Sequence, residues 1–262
     1  SSDHKYSRGM LVINTGPKYQ TGAARLAGRS ALRVGAGAVN MICDEETANI
    51  LEPQISVELL TVIKNKNEFQ KILKDKRVSS VLVGPGNGVG DETKARTLMA
   101  LAFVDNVVID ADAITSFESN PDELFRDTYP HTIFTPHEGE FRRLFGDEIT
   151  SIKDRVIRCV EASKRAGSIV LLKGSETIIA DPDGQVVINF GEAPYLATAG
   201  SGDVLAGIIA SLVGKNKMKS FDAACAGAWI HAKLGEYLGP GLIAEDLIDN
   251  IPLMIKKLRS ND

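Results

Sequence analysis

The chain is poor in the features that would tie it to a metal cage, a membrane or a nucleic acid. Its 262 residues include three cysteines, Cys43, Cys159 and Cys225, far apart in apolar or helical surroundings. No pair has the spacing of a zinc site or a redox dithiol, so they read as buried thiols in a reducing cytoplasm. No apolar run reaches membrane-spanning length, and residues 1–10 lack the apolar core of a signal peptide. The 30 Lys and Arg are scattered and are outnumbered by 34 Asp and Glu, for a net charge of -4. That leaves no electrostatic footprint for nucleic acid or an anionic membrane. Repeats, low-complexity runs and interdomain linkers are missing too. What these absences leave is a soluble, intracellular protein with a small-molecule ligand, long enough to form one large α/β domain over residues 1–262.

Apolar runs of strand length are present at 10–13, 39–43, 81–83, 107–109, 132–135 and 169–172. They alternate with segments of helical apolar spacing at 22–34, 66–74, 91–102, 139–145, 153–166 and 203–213. Such alternation predicts a mainly parallel sheet with helices on both faces. Segments 177–181 and 186–190 flank Pro182-Asp183-Gly184, a hairpin signal that adds an antiparallel edge. Two further helices, 221–238 and 244–258, close the chain.

The richest stretch is Gly200-Ser201-Gly202-Asp203 followed by an apolar helix. Gly200 and Gly202 leave backbone N–H groups bare for a phosphate, and the helix start adds its positive dipole end. Asp203 is either an N-cap or a base that takes a proton from a substrate hydroxyl. The motif alone does not choose. Gly84-Pro85-Gly86-Asn87-Gly88-Val89-Gly90 follows a strand but fails the dinucleotide fingerprint, leaving a plain turn or a substrate-facing cradle. Asp110 and Asp112 end another strand, as helix cap or as ligand or metal contacts. His137 leaves a strand behind Pro136, close to Glu138 and Glu140, and is either structural or a hydrogen-bonding partner for substrate. Lys173 opens Lys173-Gly174-Ser175-Glu176-Thr177, as a solvated lysine or a reach towards a nucleotide phosphate.

Taken in order, Tyr19-Gln20-Thr21-Gly22-Ala23 with Gly35 and Gly37, Gly84-Pro85-Gly86-Asn87-Gly88, Asp110-Ala111-Asp112-Ala113, Thr135-Pro136-His137-Glu138-Gly139-Glu140 and Gly200-Ser201-Gly202-Asp203 resemble the ADP/ATP-dependent NAD(P)H-hydrate dehydratases of the ribokinase-like superfamily. The resemblance covers nearly the whole chain. Related vitamin kinases usually carry Asn at the position of His137 but share a glutamate at that of Glu140. Three positions depart from the pattern. Asn14-Thr15-Gly16 stands for a Gly-Gly-Ser-like loop, Glu138 for a frequent proline, and Ser201 for a frequent threonine.

The resemblance implies a three-layer ribokinase-like fold and repair of hydrated nicotinamide, a lyase reaction run by kinase machinery. It implies Asp203 as general base, the amides of Gly200, Ser201 and Gly202 as the anion hole, and Lys173, Gly174, Ser175, Glu176 and Thr177 on the nucleotide. Ala23, Gly86, Gly88, His137 and Asp203 are implied to contact the hydrate. ADP or ATP is the implied co-substrate with Mg2+, for which no direct ligand is identified and Glu140 is a carboxylate behind the ion. Ser201 stands closer to the threonine of ADP-using bacterial members than to the cysteine common in ATP-using eukaryotic ones. Bifunctional members carry an epimerase domain before the first strand, whereas only a short segment precedes Leu11. The chain therefore reads as a stand-alone enzyme or as half of a longer one, with an upstream epimerase as partner and room for a homo-oligomer. The rival readings are a small-molecule vitamin kinase and a non-catalytic nucleotide-binding protein.

Overall fold

The computed structural model describes residues 9–191, 193–214 and 218–259. Its strands are β1 (Met10–Asn14), β2 (Ala38–Cys43), β3 (Leu59–Val62), β4 (Val78–Val83), β5 (Val107–Ile109), β6 (Ile133–Phe134), β7 (Ile169–Leu172), β8 (Glu176–Ala180) and β9 (Val186–Phe190). They form one sheet in the order β3-β2-β1-β4-β5-β6-β7-β8-β9. Every pairing from β3 across to β7 is parallel, and β8 and β9 add the antiparallel edge. The hairpin turns where expected: Gly184 takes a φ of 92°, and the Asp181 carboxylate accepts from the Gln185 N–H at 2.8 Å. Gly184 allows the left-handed conformation that closes this turn.

The helices are α1 (Gly22–Val34), α2 (Glu45–Leu51), α3 (Lys66–Leu73), α4 (Asp91–Phe103), α5 (Ala111–Thr115), α6 (Pro121–Phe125), α7 (Glu138–Thr150), α8 (Arg155–Ala166), α9 (Ser201–Gly214), α10 (Ser220–Leu238) and α11 (Ala244–Arg259). Strand residues alternate between two cores, as the pleat requires. Leu11 and Ile13 join Ala24, Ala27, Leu205, Ile209 and Ala224, whereas Val12 faces Phe69, Leu101, Phe117, Phe141 and Phe145. Thus α1, α9 and α10 cover one face, and α3, α4, α5, α7 and α8 the other. Both faces being buried explains the unbroken apolar runs of the central strands. Outside the first layer, Leu247, Ile248 and Ile251 of α11 pack on Val204, Ile208 and Leu234.

The contact between α1 and α9 matters most for the site, because it holds the phosphate-type turn against the sheet. A Cβ on Gly207 would lie 2.2 Å from the Ala27 carbonyl oxygen, so the two helices meet at backbone distance. Ser30 Oγ donates to the Val204 carbonyl at 3.1 Å, and Ser211 Oγ to that of Ala31 at 3.0 Å.

Several elements differ from the sequence reading. β3 lies at the sheet margin with Leu59 and Val62 exposed, so it lacks a buried alternation to detect. α2, α5 and α6 are too short to establish a period; α2 is set by the Asp44 carboxylate accepting from the Thr47 N–H. β4 begins at Val78, and α9 begins at Ser201, two residues before the expected start. α7 runs past Phe145 to Thr150 through a kink at Gly146, whose φ is 66°.

Candidate active site

Parallel strands deliver their C-terminal loops to one rim, and the candidate residues gather there. Beyond β1 and β4 lies a polar brace. Asn14 Nδ2 donates to Asn87 Oδ1, Asn87 Nδ2 donates back to the Asn14 carbonyl, and Gly84 N–H also donates to Asn87 Oδ1, each at 2.8 Å. Arg96 Nη1 donates to Asn14 Oδ1 at 2.6 Å. Asn14 is therefore committed to holding the 84–90 loop. Gly86 adopts a φ of 65°, and a Cβ there would approach the Gln20 carbonyl at 2.7 Å and the Ala23 Cβ at 3.3 Å. Gly86 and Ala23 are thus neighbours. Gly88 spends its N–H on Asp112 Oδ2 at 2.8 Å, so it offers a ligand its bare Cα and no free amide.

Between Asp110 and Asp112 sits Ala111, the non-glycine residue with positive φ among the described residues, at 47°. That conformation costs an L-residue about 1–2 kcal/mol and sends the two carboxylates different ways. Asp112 turns to Gly88, while Asp110, fully buried, accepts from Lys173 Nζ at 3.0 Å. The same ammonium lies 3.8 Å from Glu140 Oε2 and would stand 3.4 Å from a Cβ on Gly202. Lys173 is therefore no solvated hairpin residue: it reaches inward, across the rim, to the start of α9. Burial alone would lower the lysine, but the charges of Asp110 and Glu140 outweigh it and hold the ammonium above its usual range.

His137 caps α7. Its Nδ1 accepts from the Gly139 and Glu140 N–H groups at 2.9 and 3.2 Å, and Glu140 Oε2 accepts from the His137 N–H at 2.8 Å, a capping box with an imidazole as its first member. An accepting Nδ1 places the ring proton on Nε2, which faces Glu140 Oε1 at 3.1 Å. Burial, with the Lys173 charge second, lowers His137, so the ring is neutral; burial pushes Glu140 up to about 6. Glu138 leans the other way and accepts from Arg155 Nε at 2.9 Å and Arg158 Nη2 at 2.8 Å. Arg155 continues to the Glu176 carbonyl at 2.9 Å and packs under Gly174. The Gly174-Ser175 turn and the start of β8 at Glu176 and Thr177 are thereby tied to the β6 exit.

The first turn of α9 is open. Ser201 N–H donates to the Thr198 carbonyl at 3.3 Å and Val204 N–H to that of Gly200 at 3.1 Å. The Gly200, Gly202 and Asp203 N–H groups have no acceptor among the described residues. The open set thus gains the Asp203 amide, while that of Ser201 is spent. Asp203 itself caps nothing: its carboxylate, partly buried, makes no hydrogen bond or ion pair among the described residues. Burial, reinforced by the charge of Asp110 and only partly offset by Lys173, pushes it up to about 7. A carboxyl poised there beside open amides and an ammonium can accept a proton while they face developing negative charge.

Among the described residues no three His, Cys, Asp or Glu side chains converge as a metal cage. Lys173 already fills the cation position between Asp110 and Glu140. The thiols are free, with Cys43 and Cys159 buried and Cys225 only partly so; burial pushes them to about 11, 12 and 11, which leaves them inert. No helix among the described residues is long and apolar enough to cross a membrane. One surface cavity lies between α10 and α11 at Trp229 and Tyr237, another near Leu73 and Val213, and neither is lined by the rim acids. Arg155 and the buried His231 escaped the sequence reading, since a lone Arg or His in an amphipathic or apolar helix carries no motif.

The sheet order, with an open helix start facing acids and a lysine at the strand rim, is that of a ribokinase-like fold. The fold agrees with that of a ribokinase-like superfamily protein from Enterococcus faecalis, at a TM-score of 0.84 and 23% identity over 98% of this chain and 90% of that one. The chain belongs to the NAD(P)H-hydrate dehydratase family, whose model matches residues 10–252. The bifunctional NAD(P)H-hydrate repair enzyme of Methanopyrus kandleri is 31% identical over 260 residues, 97% of this chain and 50% of that one. The chain spans about half the length of the curated relatives it matches. An ADP/ATP-dependent NAD(P)H-hydrate dehydratase from Bacillus subtilis, co-crystallized with ATP/Mg2+, superposes at a TM-score of 0.82 with 25% identity, covering 98% of this chain and 92% of that one.

Proposed function

We propose that this chain dehydrates NAD(P)H hydrate back to NAD(P)H, with ADP or ATP as phosphoryl donor. The observation that carries the reading is Asp203, an unpartnered carboxylate beside the open Gly202 and Asp203 amides, in a chain of the dehydratase family. Asp203 removes the proton from the ring hydroxyl as that oxygen attacks the terminal phosphorus. The open amides and the Lys173 ammonium take the charge that grows on the transferring group. The hydroxyl becomes a phosphate ester, a far better leaving group than water. The ring nitrogen's lone pair then expels phosphate as the C–O bond breaks, and loss of a neighbouring ring proton restores the dihydronicotinamide. Phosphate and AMP (or ADP) are the other products.

The nucleotide lies along Lys173, Gly174, Ser175, Glu176 and Thr177, with its phosphates at the open amides of Gly200, Gly202 and Asp203. The hydrate lies against Ala23, Gly86, Gly88 and His137. Glu140 would stand behind a Mg2+ ion carried by the nucleotide, which would supply charge neutralisation of the phosphates. Inert free thiols agree with a cytoplasmic setting. An epimerase, as a partner or an adjoining domain, supplies the reactive epimer. Incubation of NADH hydrate with the protein and ADP or ATP should restore the near-ultraviolet absorbance of NADH; phosphorylated hydrate accumulating without that recovery would point instead to a small-molecule kinase.

A further inference from the structure

Behind the open turn of α9 lies a histidine that the dehydration step does not use. His231, on α10, is buried, and its Nε2 lies 2.8 Å from Ser201 Oγ and 3.0 Å from the Ser201 carbonyl oxygen. A carbonyl only accepts, so the second contact requires the ring proton on Nε2. The hydroxyl then shares that proton as an acceptor and keeps its own unspent. Burial lowers the ring to about 4, so at neutral pH it is an uncharged donor.

The carbonyl of Ser201 and the N–H of Gly202 are the two ends of one planar peptide group. A hydrogen bond to the oxygen fixes that plane and draws electron density towards it, which strengthens the N–H at the other end as a donor. The Gly202 N–H is one of the amides left open, and Asp203 follows it in the same turn. We propose that His231 is a positioning residue for the phosphate-binding turn, fixing and polarising the Ser201–Gly202 peptide so that the Gly202 N–H meets an incoming phosphate oxygen. It acts through that peptide and touches neither nucleotide nor hydrate. The proposal rests on reading the α9 turn as the phosphate site.

The test compares His231→Phe with His231→Gln, whose side-chain N–H can reach the place of Nε2. ADP affinity is read by calorimetry and turnover by recovery of NADH. A folded Phe variant should lose about tenfold or more in ADP affinity, the worth of one hydrogen bond to an ionised ligand, and at least as much in turnover. The Gln variant should recover most of both. A Phe variant that binds ADP like the wild type, or a Gln variant as impaired as the Phe one, overturns the proposal. Should the Phe variant not fold, the wild-type protein decides. The His231 Nε2–H proton resonance should move on saturation with ADP, and an unmoved signal overturns the idea. The ADP measurements need no hydrate, so a chain that binds ADP through His231 and repairs nothing would fail the dehydratase reading while leaving this one standing.

Discussion

Among the described residues the Asp203 carboxylate has no hydrogen-bond or ion-pair partner, and that has a cost in stability as well as a use. Its folded value of about 7 lies above the ordinary 3.8, so the folded state binds a proton more tightly than the unfolded chain does. The penalty is fully present above pH 7, fades as the pH falls, and is gone below about pH 4. Asp203→Asn should therefore raise the melting temperature at pH 8, with the gain vanishing towards pH 4, as thermal scans across pH will show. The same variant should lose about 100- to 10,000-fold in turnover, the usual cost of removing a general base. In the wild type, kcat/KM should fall about tenfold per pH unit below 7, where the carboxyl is protonated. A pH-independent rate, or an Asn variant with near-normal turnover and no alkaline gain, would make the side chain a bystander.

At the scale of elements, two helix starts divide the chemistry. α9 opens on bare amides, and a Cβ on Gly202 would meet only Lys173 Nζ at 3.4 Å. Gly202→Val should therefore fold and still lose ADP affinity and turnover together, because the branched side chain stands where a phosphate would approach; calorimetric titration is the check. Gly200 differs: its φ is 84°, and a Cβ would press Leu26 at 2.5 Å, so its substitution strains the fold first. α7 opens on His137, whose ring both caps the helix and faces Glu140. His137→Ala should cost about 1 kcal/mol of stability, as cap removal does. It should also raise KM for the hydrate while leaving ADP affinity near normal. Melting curves and steady-state kinetics separate the two effects, and lost ADP binding with unchanged KM would reverse the placement of the two ligands.

For the whole molecule, the parallel sheet was readable because strands covered on both faces are written as short unbroken apolar runs, and the hairpin because Pro182-Asp183-Gly184 permits few other paths. β3 escaped because an edge strand pairs on one side only and leaves Leu59 and Val62 exposed. The site was readable at Gly86, whose φ is 65°, a position where the backbone itself calls for glycine. The cap formed by His137 and Glu140 was not foreseen, because an imidazole is an unusual first member of a capping box. The site was also unreadable where distant elements meet: nothing near Lys173 in the chain announces Asp110, 63 residues away, and nothing near Ser201 announces His231, 30 residues on. The inward lysine has a last consequence. With an ammonium already seated among the rim acids, the protein carries its own internal counter-ion. A chelator should thus abolish turnover by stripping the nucleotide of its metal while leaving the melting temperature of the ligand-free protein where it was. Melting that shifts with the chelator would mean that a metal, and not Lys173, holds the rim together.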